Sequence, residues 1–182
     1  MGVDDATADT AAETAAARAR ELVKRAVDEL AAASARTEVL AAFVPERRVL
    51  GLPRAARMTP TGRVWRLGVL LLDDDGHVHA TGLVARAERA ARRSVTANSV
   101  AEQRAYRAAA VKGGIPAGET VNFDTTPIEL TAAALRAGDG PVLLRGGEVL
   151  VRWSPAQPDA LTPLGAYLAD RVDLLVHRPE GA

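Results

Sequence analysis

The chain has 182 residues, 48% hydrophobic and 25% charged, with 23 basic and 23 acidic side chains and no cysteine. That length can bury a sizeable core at the size of one domain, and the missing thiols exclude a disulfide framework, a cysteine nucleophile and thiolate zinc sites. Two Trp, two Tyr and two Phe offer little for a base-stacking platform, and a net charge of zero makes nucleic acid an unexpected partner, although residues 45–107 hold twelve arginines against six acids.

In chain order, "MGVDDATADTAAETAAARAR" turns from acidic to basic without an apolar run, unlike a signal or transit peptide. No stretch offers the roughly eighteen apolar residues of a membrane helix, so a cytoplasmic location without a membrane partner is expected. Arginine outnumbers lysine 21 to 2, which reads with the abundant alanine as the codon usage of a high-GC bacterium. Thr10 and Glu13 form a capping box that opens a long helix. Leu22, Ala26, Leu30, Ala33, Thr37 and Leu40 then recur at steps of three and four as a narrow apolar stripe that ends before Pro45. Residues 1–44 are thus expected as a helical arm on an α+β domain of residues 45–182. The stripe either packs on that body or pairs with the same helix of a second copy, as a homodimer.

Arg48 to Leu52 reads as a short strand. The stretch "RLGVLLLDDDGHVHATGLVAR", residues 66–86, reads as a hairpin with Asp75 and Gly76 in a type I′ turn. Asp74 then faces His77, Asp73 faces Val78 and Leu72 faces His79, and a core face of Trp65, Leu67, Val69, Leu71, Val78, Ala80 and Val84 results. The opposite face sets Asp74, His77 and His79 within reach of one ion, a weak metal candidate. The aspartates are adjacent, unlike a calcium loop, so turn chemistry accounts for them and no metal is expected.

Ser99 with Glu102, and Gly113, bound a helix over residues 100–112. The stretch "GGIPAGETVNFDTTPIEL" reads as a loop, a short strand at 119–123 and a helix capped by Thr126, with Pro127 in its first turn and Glu129 closing the box. A strand that feeds a helix amino terminus gathers free amides at one point. Asn122, Asp124, Thr125, Thr126 and Lys112, with Arg89 and Arg93 as a clamp, are therefore the candidate ligand-binding residues. A second hairpin turns at Gly146 and Gly147. The last helix is capped by Thr162, starts with Pro163 and buries Leu164, Leu168, Val172 and Leu175.

The order of elements predicts an α+β fold: a mainly antiparallel sheet of five or six strands with helices on one face, plus the long N-terminal helix. There is no GxSxG elbow, phosphate loop, GxGxxG or HExxH, so no catalytic residue is assigned and no cofactor is expected.

The segments "GRVWRLGVLLLDDDGHVHATG", "GGIPAGETVNFDTTPIEL" and "LVRWSPAQPDALTPLGAYLADRVDLL" resemble a family of short proteins from high-GC bacteria, some of which carry the label glutaminase. The resemblance covers residues 40–182. A serine-dependent glutaminase of the β-lactamase type would place a serine three residues before a lysine. Ala109 stands there before Lys112 and Glu21 before Lys24, so the resemblance transfers no catalytic residue. The expected function is a non-enzymatic binding or interaction module, with itself or another protein as partner. The alternative is a small enzyme or sensor for an anionic phosphate or carboxylate metabolite.

Overall fold

The computed structural model describes residues 3–49, 52–88, 98–154, 156–157 and 159–177. A long helix, α1 (Val3–Ala32), leads into β1 (Glu38–Val44), β2 (Arg47–Val49), β3 (Leu52–Arg54), β4 (Arg57–Leu67), β5 (Leu70–Leu72), β6 (Val78–Ala80) and β7 (Leu83–Arg86). Then follow α2 (Asn98–Lys112), β8 (Thr120–Phe123), β9 (Thr126–Ile128), α3 (Ala132–Ala137), β10 (Val142–Arg145), β11 (Glu148–Arg152), β12 (Leu161–Pro163) and α4 (Leu164–Val176).

The architecture is α+β. Seven strands, rather than five or six, are hydrogen-bonded in the order β7-β8-β1-β4-β5-β6-β9, antiparallel except for the parallel pair β1 and β8. Strands β10 to β12 form a separate antiparallel sheet, and β2 with β3 a two-stranded ribbon. Of the single strand expected at Arg48 to Leu52, Arg48 and Val49 belong to β2 and Leu52 opens β3. The added strand count starts at Gly68, whose φ of +65° is open to glycine and lets the run at 65–72 fold back on itself as β4 and β5.

Two compact units alternate along the chain: residues 1–36, 65–80 and 126–182 form the first, and residues 37–64 and 81–125 the second. In the first, α1 begins at Val3, ahead of the expected cap. Thr10 lies inside the helix, and its hydroxyl donates to the Ala6 carbonyl at 2.9 Å. The helix stops at Ala32 instead of running toward Pro45. Ser34 adopts a left-handed φ of 50°, and the amides of Ser34 and Ala35 return to the carbonyls of Ala31 and Leu30, the Schellman closure. The buried face is Ala12, Ala15, Ala16, Ala19, Val23, Ala26 and Leu30, so Ala33, Thr37 and Leu40 leave the expected stripe. It packs against α4, where short alanine side chains permit close helix approach. α4 buries Leu164, Leu168 and Val172 as expected, and also Tyr167, whereas Leu175 of the expected stripe is only half-buried. Its cap position is Pro163, because Thr162 belongs to β12 opposite Val151.

The hairpin of β5 and β6 closes one residue out of the expected register, with Leu72 opposite Val78 and Leu71 opposite His79. Asp73 sets that closure: its side chain accepts from the His77 amide at 2.7 Å, while its own amide donates to the His77 carbonyl at 3.2 Å. Leu70, Leu71 and Leu72 are then all buried, as in a strand covered on both faces, and Val84 of the expected core face is 39% exposed. Tyr167 holds the Gly68 turn. Its hydroxyl accepts from the Val69 amide at 2.9 Å and donates to the Leu67 carbonyl at 2.7 Å.

The second unit has its own core of Val39, Ala41, Met58, Ala109, Ala110, Val121 and Phe123. Phe43, Tyr106 and Phe123 add an aromatic cluster, with ring centroids 4.9–6.0 Å apart. Helix α2 ends where a Cβ on Gly113 would overlap the Met58 carbonyl.

Candidate functional site

The helix cap expected at Thr126 does not form. Thr126 caps no helix: with Pro127 and Ile128 it makes β9, paired with Ala80, His79 and Val78. Asp124 takes a left-handed φ of 55° after β8, which turns the chain into this new strand. Pro127 lacks an amide hydrogen and suits a strand that ends the sheet order. The helix begins at Ala132, capped by Thr131, whose hydroxyl accepts from the Ala134 amide at 3.3 Å.

Asn122 is fully buried and structural. Its Nδ2 donates to Glu38 Oε2 at 2.8 Å and reaches the Val39 carbonyl at 3.4 Å, so it ties β8 to β1. Asp124 is exposed, Thr125 half-buried, and Lys112 exposed in the last turn of α2, where a cation complements the helix dipole. Arg89 and Arg93 lie outside the described residues. Thr126 does line a cleft of about 420 Å³, whose apolar walls include Pro127, Ile128 and Val142 and which also holds Glu129 and Asp139.

The acidic turn assembles a different trio from the expected Asp74, His77 and His79. Asp73, Asp75 and His77 have ligand-capable atoms within 4.8 Å of one another. Asp73 is engaged in closing the turn, and His77 Nδ1 lies 2.9 Å from Asp73 Oδ2. That hydrogen bond and the aspartate charge raise the His77 pKa above its ordinary value. His79 goes the other way: burial lowers its pKa, and its Nδ1 is buried without a hydrogen-bond partner.

Charge separates with the units. The first holds 17 acidic and 11 basic residues, a net charge of −6; the second holds 6 and 12, a net charge of +6. On the basic unit, Arg47, Arg48, Arg54 and Arg57 are exposed on β2, β3 and the start of β4. None of the four makes an ion pair among the described residues. Arg47 lies directly opposite Arg54, an arrangement of like charges that weakens a strand pair. The signal is visible in "RRVLGLPRAAR", residues 47–57, but averaging over the chain hides it. Among the described residues, no helix is long and apolar enough to cross a membrane. Comparison of the chain with protein-family models, curated proteins and solved structures gives no match.

Proposed function

We propose that this protein is a non-enzymatic binding module whose basic unit engages an anionic macromolecule. The observation that carries this reading is the division of a neutral chain into units of net charge −6 and +6. A charged surface of one sign concentrates counter-charged partners and speeds their encounter. The exposed arginines of β2, β3 and β4 support the reading, since they serve neither core.

Titration calorimetry with heparin, a polyanion without base sequence, tests it. Binding should be measurable at about 50 mM salt and weaken steeply as salt rises. Absence of heat at low salt would overturn the reading. The alternative, a pocket for an anionic metabolite, rests on the cleft at Thr126. Glu129 and Asp139 in that cleft repel an anion, which favours the basic unit as the binding face.

A further inference from the structure

We propose that the ribbon of β2 and β3 is a DNA-binding arm, its arginines set on the phosphates of a duplex and Leu52 with Pro53 against the groove. The inference rests on the reading that the basic unit takes an anionic macromolecule, and names both the element and the partner.

Three observations support it. Among the described residues the ribbon pairs only with itself, and Arg47, Arg48, Leu52, Pro53 and Arg54 are all exposed and belong to neither core cluster. A two-stranded ribbon without a buried face is marginal in water, so a structural role does not account for it. Secondly, its cations are concentrated and form no ion pair among the described residues: Arg47, Arg48 and Arg54 stand on the ribbon and Arg57 at its foot, with Arg47 facing Arg54 across the strands. That repulsion is relieved when phosphates lie between the guanidinium groups, each of which can hold a phosphate through two parallel hydrogen bonds. Thirdly, Leu52 is 70% exposed, the most exposed large apolar side chain among the described residues, and Pro53 follows it. In a major groove an exposed apolar side chain can meet the methyl group of thymine.

Shape favours a duplex over a lipid surface. Two strands about 4.8 Å apart fit a major groove about 12 Å wide. A bilayer would be met by a broad apolar face, whereas this ribbon offers one leucine beside a proline. The neutral total that points away from nucleic acid is the sum of two opposed units, and the arm belongs to the basic one.

Fluorescence anisotropy with a labelled mixed-sequence duplex of about 20 base pairs tests the proposal, using the full chain. With four phosphate contacts, affinity should fall ~10²-fold between about 50 and 200 mM salt. The triple variant Arg47→Ala, Arg48→Ala, Arg54→Ala should bind at least about 10-fold more weakly and reduce the salt slope by about three. A charge-matched control, Arg18→Ala, Arg25→Ala, Arg145→Ala, alters exposed arginines of the acidic unit and should bind as the parent does. All six positions are exposed, and unchanged circular dichroism checks the folding of both variants. Leu52→Ala should weaken binding without altering the salt slope. A triple variant that holds the duplex as tightly as the parent would overturn the arm and leave the polyanion reading standing. Retention of heparin or of phosphatidylserine vesicles without the duplex would overturn the nucleic-acid partner alone. No binding to any of the three would remove both readings.

Discussion

The acidic unit contains both tryptophans and all three histidines, whereas the basic unit contains both phenylalanines and neither Trp nor His. The acidic core is built on an alanine-faced helix and aliphatic strands; the basic core closes around Phe43, Tyr106 and Phe123. One chain therefore carries two bodies that answer to different probes. Tryptophan emission and titration near neutral pH report on the acidic unit, and salt-sensitive binding reports on the basic one. Whole-chain averages of charge and composition conceal the difference.

Substitutions at five positions bear on that contrast, beginning with the largest effect. Gly113→Ala places a methyl group on the Met58 carbonyl and should cost the basic unit about 3 kcal/mol. Amide spectra of residues 37–64 and 81–125 should show the loss while the tryptophan transition stays put. A tryptophan transition displaced by the same amount would dissolve the distinction between the units. Asn122→Ala removes a buried donor from Glu38 and should cost about 2 kcal/mol, read in the same amide signals and partly restored by Asn122→Gln only if the hydrogen bond is what matters.

Tyr167→Phe acts on the other side of the comparison. It leaves the Val69 amide and the Leu67 carbonyl without the hydroxyl, and the tryptophan-detected transition should fall by about 1–2 kcal/mol. The smallest effects are those of pH. The His79 pKa is lowered in the folded state, so protonation favours unfolding: its contribution is intact above about 6.5 and is lost as pH falls below that value. The His77 pKa is raised, so its contribution is full below about 6.5 and is lost as pH rises through the raised value. His79→Leu should flatten the acid-side loss of tryptophan-detected stability between about pH 7 and 5. His77→Ala should steepen it. Identical slopes in both variants would refute the opposed assignments.

Local turn chemistry and helical periodicity were legible in the sequence: the Gly146-Gly147 hairpin, the α4 stripe and the strand at 120–123 all form. What misled was a local signal overridden by a competing interaction, either across the sheet or within the same segment. Thr126-Pro127-Ile128 has the look of a helix start, but β6 offers it a strand to pair with. Asp75-Gly76 is a strong turn dipeptide, but the Asp73 side chain closes a longer loop. Thr10 matches a cap, but the helix already extends beyond it. Of the site, the arginines of the ribbon were countable in sequence. Their opposition across β2 and β3, and the separation of charge by unit, depend on which segments come together in space.

The alternation of the units along the chain shapes the order in which the molecule can be completed on the ribosome. The basic unit has all its residues once position 125 has been made, while the acidic unit waits for α4. Helix α1 is synthesised first and meets its packing partner last, across more than a hundred residues of intervening chain. Such a long closure slows folding and leaves apolar surface waiting in the nascent state. Alanine suits that interval, because a face of single methyl groups offers far less adhesive surface to other nascent chains than one of leucines.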